Sequence, residues 1–595
     1  MSATGIQHLQ QRIAHHPDNP ELHYELGRAY LLQKQAAPAA QAFAQALRLA
    51  PNHPQILMQL GNVASLEGNE VLASDYFRQS LAVDAQQADV QFNLANSLRK
   101  QGQLAAAIVH YRHALQLQPN DADMHNNLGN AWRESGELAL AVAAYATALE
   151  HAPHMVHARV HWIHQKQHMA DWSGLDAAIQ EVRAALQHPQ AQIPPFAFLA
   201  MPGTTDAEQT RCASLWAQAH YGHVQALPRQ IRQANRRIKL AYLSSDFRRH
   251  PLAYLITDVI QAHDRTQFEI YAYSQALDDG SLERQQLQSA VEHWQDIAQL
   301  PDDAVAQHMR MQGIDIVVDL TGYTQNSRCG IVAYRPASLH VNWLGYPGSM
   351  GLLNGKPLYD LIVVDDTLQM PHLAEEAIVL PCYQPNNAQR PLADRGTRRD
   401  HKLPDDCFVF CSFNQSFKIT PDVFASWMCI MQQVPHSVLW LLESNRWAVE
   451  NLKKAAHQAG IQPQRLVFAP RADIATHIAR QQHADLMLDT LPYNAHTTAS
   501  DALSQGVPIL TIAGETFASR VTTSLLKYIQ LHELICHDWQ AYENTAIQLA
   551  LHPEELRALK QKVTAQSGRL FAPERYVKSL EDALITALNK QTAIN

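Results

Sequence analysis

A leucine followed by a small residue recurs at a spacing of 34 near the start of the chain, at Leu26-Gly27, Leu60-Gly61, Leu94-Ala95 and Leu128-Gly129. Downstream of each lies an aromatic residue with a small one three positions on: Phe43 and Ala46, Phe77 and Ser80, Tyr111 and Ala114, Tyr145 and Ala148. A unit of this length has room for two amphipathic helices, and two helices cannot bury these knobs, or Tyr24 and Phe92, by themselves. Neighbouring hairpins must stack, which makes the segment a solenoid and not one globular core. Pro51, Pro119 and Pro153 stop three of the second helices, because proline lacks an N–H and its ring blocks the preceding turn.

These features resemble the tetratricopeptide repeat over about residues 20 to 153, in which small residues at the Gly27-type position let the two helices of a hairpin approach closely. The resemblance implies an α superhelix that serves as a binding scaffold. Asn93 and Asn96 lie three apart, as do Asn127 and Asn130, and Asn62 precedes Asn96 by one repeat, so the five share one helical face. An asparagine amide can pair with the backbone of an extended peptide whatever its sequence. Solvated surface asparagines would give the same pattern.

We assign residues 1–155 to the solenoid and 156–237 to a helical cap and connector, interrupted by Pro194-Pro195 and Pro202-Gly203 and closed by a charged stretch, Arg229 to Arg237. A formal net charge of -9, spread without a long run of one sign, disfavours a nucleic-acid partner. The seven cysteines lack paired spacing and read as reduced thiols. The opening MSATGIQHLQQRIAHH has no apolar core of signal-peptide type, and no stretch approaches the ~18 apolar residues that span a bilayer. A cytoplasmic protein without a membrane partner is expected.

From Ile238 onward short β-rich runs alternate with amphipathic helices, the pattern of parallel sheets flanked by helices. The expected strands are Ile238–Leu243, Phe268–Tyr273, Ile314–Leu320, Val341–Gly345 and Leu361–Val364, then, after a loop from Gln384 to Arg399, Phe408–Phe413, Val438–Leu442, Leu466–Ala469, Leu486–Asp489 and Pro508–Ile512. Two doubly wound domains result, 238–390 and 391–595, with ligands expected outside the carboxyl ends of the strands. No G-x-G-x-x-G follows a strand and no Walker-type loop exists. His532-Glu533 with His537 misses zincin spacing, since Cys536 occupies the required place, and the pairs Asp365-Asp366 and Asp405-Asp406 read as solvated strand ends. No metal site and no cofactor is expected.

Four strand-end loops remain. His496-Thr497-Thr498 opens a helix containing Asp501; its hydroxyls and free N–H groups suit a phosphate, with Asp501 able to accept from a ribose hydroxyl, although Thr-Thr also serves as an ordinary cap. Asn414 to Lys418 presents either a cation for a diphosphate or a surface lysine. In Arg471, Ala472, His477 and Arg480, an imidazole could stack on a nucleobase. Ser244 to Phe247 with His250 puts a near-neutral titrating group at a strand end, suited to proton handling.

Taken together, S-S-D-F-x-x-H-P, G-Y-T (Gly322 to Thr324), R-P-A…W-L-G-Y-P-G (Arg335 to Gly348), F-N-Q-x-x-K-I (Phe413 to Ile419), H-T-T-x-x-D (His496 to Asp501) and G-E-T-x-A-S-R-V (Gly514 to Val521) resemble the nucleocytoplasmic O-linked N-acetylglucosamine transferase family, with its bacterial and SPINDLY-type members. The likeness is collinear over residues 238 to about 575 and follows the repeat arm in the expected order. It implies a GT-B fold and an inverting, metal-independent transfer of N-acetylglucosamine from UDP-GlcNAc to Ser or Thr of a protein. It implies that Lys418 neutralises the diphosphate, that Gln415, His496, Thr497 and Thr498 hold it, that Asp501 binds ribose, and that Ala472, His477 and Arg480 meet the base. His250 matches the family's proposed general base, with passage of the acceptor proton to a phosphate oxygen as the alternative. The asparagine row would grip polypeptide acceptor and feed it toward His250. Arg310 and Ile474 stand where relatives carry a histidine and a lysine, so another donor such as GDP-fucose, another acceptor side chain, or an inactive repeat scaffold are the alternatives.

Overall fold

The computed structural model describes residues 3–228 and 236–593, so residues 229–235 of the expected charged stretch lie outside the described residues. The chain divides into two compact units, 1–165 and 166–595.

The first unit contains the four expected hairpins: Pro20–Leu32 with Ala36–Leu49, Pro54–Leu66 with Glu70–Val83, Ala88–Lys100 with Leu104–Leu117, and Ala122–Glu134 with Leu138–His151. A helix Ala3–His15 comes before them. First helices start at 20, 54, 88 and 122, and a further helix, Val156–His168, starts at 156, so the 34-residue period runs one helix beyond the leucine pattern. The pattern hides it because Trp162-Ile163 stand where the others have leucine and a small residue. The small residues act as expected: a Cβ on Gly27, Gly61 or Gly129 would stand 2.6, 2.5 or 2.6 Å from the ring of Phe43, Phe77 or Tyr145. Between the helices of a pair the chain turns through left-handed backbone, at Gly68, Gly102 and Gly136 (φ 79, 75 and 84°) and at Lys34 (φ 58°).

The second unit holds two all-parallel sheets. The first contains β1 (Ile238–Ser244), β2 (Phe268–Ser274), β3 (His293–Asp296), β4 (Ile316–Asp319), β5 (Leu339–Asn342), β6 (Leu361–Val364) and β7 (Glu376–Val379), in the order β3-β2-β1-β4-β5-β6-β7. The second contains β8 (Phe408–Ser412), β9 (Ser437–Leu442), β10 (Leu466–Ala469), β11 (Leu486–Leu488), β12 (Ile509–Ile512) and β13 (Ile535–Cys536), in the order β10-β9-β8-β11-β12-β13. Central strands such as β1, β4 and β8 are buried on both faces, as helix-covered parallel strands must be. The ten expected strands all form. The two sheets hold three more, β3, β7 and β13, at their edges, where exposed or two-residue strands need no apolar run, and a separate antiparallel hairpin pairs Leu352–Leu353 with Lys356–Pro357.

Two segments tie the sheets together. His168 and Met169 accept from Ser416, Asn445 and Asn451 of the second layer, at 2.6, 2.8 and 2.9 Å. Helix Asp206–Tyr221 is bonded to the first layer through Ser214–Leu352, Gln218–Asn354 and Asp206–His372. The last helix, Pro573–Ala593, leaves the second layer and packs Val577, Leu580, Leu584 and Leu588 into the core of the first sheet. There Glu581 accepts from His263 Nδ1 and the Asp264 N–H, both at 2.8 Å.

Candidate active site

Strand order reverses beside β1 in the first sheet and beside β8 in the second, and a crevice opens where the chain winds away in both directions. In the first layer the loops after β1 and β4 meet there: the Ser245 N–H donates to Thr321 Oγ1 at 2.9 Å. Gly345, after β5, allows close approach, since a Cβ on it would lie 2.1 Å from the Leu320 carbonyl. In the second layer the loops after β8 and β11 interlock. Asn414 Nδ2 donates to Thr490 Oγ1 at 2.9 Å, Thr498 Oγ1 donates to Asn414 Oδ1 at 2.8 Å, and Lys418 Nζ donates to the Asn494 carbonyl at 2.8 Å. Asp489 shapes this loop from beneath, accepting from the N–H groups of Thr490 and Ala495 and from Thr511.

Lys418 stands at the centre of the second crevice, its ammonium 3.9 Å from the centroid of the Tyr493 ring. Burial pushes its pKa down to about 7, against the opposing pull of Asp489. Phe417 and Tyr493, which flank it, pack with Phe196 of the connector at 6.4 and 6.1 Å between ring centroids, and share a cluster with Tyr346 of the first layer. The helix Thr497–Ser504 begins beside Lys418, and its first N–H groups have no acceptor within the helix. A cation and fixed dipoles thus converge where an anion would sit.

His496 Nε2 bonds the Ala518 carbonyl at 3.1 Å, so that nitrogen carries the proton and Nδ1 keeps a lone pair. Burial, reinforced by the charge of Lys418, holds the ring neutral, with its pKa far below the usual histidine value. His496 therefore offers an acceptor at Nδ1.

Arg480 Nη2 donates to His477 Nδ1 at 2.8 Å and its guanidinium lies 5.3 Å from the centroid of Phe413, whose ring meets that of His477 edge-on at 5.3 Å. Burial, then the neighbouring Arg480, pushes the His477 pKa down to about 4, which leaves a neutral aromatic surface. Ala472 is exposed beside it, and Gln415 Oε1 accepts from Arg471 at 3.4 Å. Asp473, in the same loop, lies within electrostatic reach of Tyr254 on the helix that follows His250, so the two layers face each other here.

Asp501 is almost wholly buried and its closest charged partner is Arg390, 3.2 Å away, a residue of the Gln384–Arg399 loop to which the sequence assigned no role. His250 Nδ1 accepts from the Leu252 N–H at 3.2 Å, while the Asp246 carboxylate stays at 3.7 Å. Burial lowers the pKa of the imidazole, so its neutral form carries the proton on Nε2. In that tautomer the other nitrogen, Nε2, is a donor.

In the first unit the five asparagines do not stand alike. Asn93 Nδ2 donates to Asn62 Oδ1 at 2.9 Å, and Asn127 Nδ2 to the Asp123 carbonyl at 2.9 Å. Asn96 and Asn130 accept from the hydroxyls of Tyr111 and Tyr145, at 2.6 and 2.9 Å.

A family model described as Glycosyl transferase family 41 matches residues 212–379 and 389–580, and two repeat models, TPR repeat and Tetratricopeptide repeat, match 95–136 and 3–62. A probable UDP-N-acetylglucosamine–peptide N-acetylglucosaminyltransferase SEC of Arabidopsis thaliana is 34% identical over 62% of this chain and 39% of its own length. The UDP-N-acetylglucosamine–peptide N-acetylglucosaminyltransferase of Caenorhabditis elegans is 29% identical over 59% of this chain and 41% of its own length. The chain thus spans about two fifths of these curated relatives. A mutant O-GlcNAc transferase of Thermobaculum terrenum shares the fold, with a TM-score of 0.66 and 24% identity over 91% of this chain and 98% of that one.

Proposed function

The chain belongs to glycosyl transferase family 41, and from that membership we propose that it transfers N-acetylglucosamine from UDP-GlcNAc to a serine or threonine hydroxyl of a protein, with inversion and without a metal. The observation that carries this reading is the convergence of Lys418, the helix N-terminus at Thr497-Thr498 and the Tyr493–Asn494 loop at one strand-end crevice. In such a transfer the acceptor oxygen bonds the anomeric carbon as the bond from that carbon to the diphosphate breaks. Negative charge then grows on the leaving phosphate. An ammonium and backbone dipoles already in place lower the barrier by solvating that charge without reorganisation. Neutral His477, between Phe413 and Arg480, provides the stacking surface for a base. His250 donates from Nε2 to an oxygen at the reacting centre, and the acceptor's proton leaves on a phosphate oxygen.

The asparagine face of the repeat arm takes the polypeptide acceptor, with Asn62, Asn93 and Asn127 as the outward contacts. Seven unpaired thiols, among them the exposed Cys429, support the reducing environment of the cytoplasm.

The test is incubation of the purified protein with a panel of labelled nucleotide sugars and a protein acceptor, in EDTA. Transfer from UDP-GlcNAc that survives chelation and is abolished by Lys418→Met is expected. Transfer from GDP-fucose alone, a strict divalent-ion requirement, or full activity of Lys418→Met would overturn the respective part of the reading.

A further inference from the structure

The segment joining the two sheets is pinned at both sides. Gln384, Asn386 and Asn387 are buried; Asn387 Oδ1 accepts from the Asp258 N–H at 3.1 Å, and the Ala388 N–H donates to the Asp258 carboxylate at 2.7 Å. Those bonds fix it to helix Ala253–Gln261 of the first layer. Two residues later it turns to the second layer. Arg390 Nη2 donates to Asn386 Oδ1 at 2.6 Å and to Ser500 Oγ at 3.2 Å, and Arg390 Nη1 lies 3.2 Å from Asp501 Oδ1.

The side chains of this ion pair are 4% and 3% exposed. Yet Arg390 Nε and Nη1, Asn386 Nδ2 and Asp501 Oδ1 make no hydrogen bond. Buried charges this close to each other ordinarily satisfy their remaining donors and acceptors, because each one left over costs free energy. Nη1 and Oδ1 still face each other as an ion pair, which leaves Arg390 Nε and Asn386 Nδ2 without a partner, one turn into the helix whose N-terminus faces Lys418; a buried polar cluster left incomplete at this place suits a ligand as well as the fold.

We propose that Arg390 is the positioning residue of the ribose site: it orients Asp501, so that recognition of the ribose hydroxyls in the second layer depends on a linker anchored to the first. This rests on the reading of the crevice as a nucleoside-diphosphate site. Removing the guanidinium would leave the carboxylate without its ion-pair partner and free to turn, and would also remove the charge that opposes the upward push of burial on its pKa, favouring the protonated form. A protonated Asp501 loses its strength as an acceptor for the diol.

Calorimetric binding of UDP, 2′-deoxy-UDP and 3′-deoxy-UDP to the full-length wild type, Asp501→Asn, Arg390→Lys and Arg390→Met tests the proposal, together with KM and kcat for the nucleotide sugar. Asp501→Asn and Arg390→Met should both weaken UDP roughly tenfold or more, the scale of a lost charged hydrogen bond, and both should erase the preference for UDP over at least one deoxy analogue. KM should rise while kcat changes little, and Arg390→Lys should recover part of the preference. An Arg390→Met protein that keeps the wild-type preference, whether or not its melting temperature falls, overturns the proposal. A wild type that binds UDP and both analogues equally overturns the ribose role of Asp501. One that binds none of them overturns the nucleotide reading itself, and the proposal with it.

Discussion

The phenol of Tyr145 donates to Asn130 Oδ1 at 2.9 Å, and one repeat earlier Tyr111 donates to Asn96 in the same way. The tyrosine comes from the second helix of a hairpin and the asparagine from the first, so these amides help close the hairpin. Asn62, Asn93 and Asn127, on the same face, make no such bond to a second helix. The row splits into asparagines that close their own hairpin and asparagines that do not.

Asn130→Ala should therefore act on stability. It leaves the buried Tyr145 hydroxyl without its acceptor, which costs about 1–3 kcal/mol, whereas Asn127→Ala should stay within about 0.5 kcal/mol. Urea unfolding measures both. Loss of peptide affinity in Asn127→Ala at unchanged stability would identify it as a contact residue; equal destabilisation by the two substitutions would erase the distinction.

Gly129→Ala brings a methyl to 2.6 Å from the Tyr145 ring. Overpacking of that kind should lower stability by about 1–3 kcal/mol, although alanine is the better helix former. A variant that melts at or above the wild-type temperature would show that the hairpin spreads freely.

Lys34 occupies the left-handed turn position held by glycine in the next three repeats. Lys34→Gly should stabilise the first hairpin by up to about 1 kcal/mol, since a side chain in that region is strained by its own carbonyl. Differential scanning calorimetry on the two proteins decides it, and a lower melting temperature would count against the turn argument.

Burial pushes the Lys418 pKa down to about 7. Below that pH it is charged, and above it the ammonium is lost. A diphosphate binds the charged form and so raises the pKa, which means that binding at about pH 8 takes up close to one proton at this residue. Nucleotide affinity should then fall as the pH climbs past 7, and Lys418→Met should abolish both the uptake and that part of the slope. Calorimetry in buffers of different ionisation enthalpy reads the proton directly; identical uptake in wild type and mutant would disprove the assignment.

If His250 donates from Nε2, an amide should replace it in part. His250→Gln should keep transfer within roughly tenfold of wild type, while His250→Ala loses considerably more. A general base contributes about 10²–10⁴-fold, and both substitutions would then lose that factor alike. Steady-state rates of the two variants separate the roles.

The sequence discloses the central strands because each is buried on both faces and must be apolar throughout, as in Leu361–Val364, which forms with the expected bounds. His293–Asp296 escapes notice for the converse reason: at a sheet edge the backbone supplies the pairing and the side chains are free to be polar. Lys418, His496 and Thr498 are legible as strand-end residues, and the crevice does assemble them. What spacing cannot disclose is which lone pair each presents. That depends on the Ala518 carbonyl for His496 and on the Leu252 N–H for His250, and neither partner's hydrogen bond leaves a mark on residue type. Arg390 is hidden similarly, since a loop arginine acquires its partner only when two layers fold together.

Helix Pro573–Ala593 supplies four apolar side chains to the core of a sheet whose last strand ended at Val379. During synthesis the first layer therefore waits, with that side of its core unsealed, while nearly two hundred further residues leave the ribosome. The two layers must mature together. A chain cut before this helix would leave that side of the first layer's core open to water.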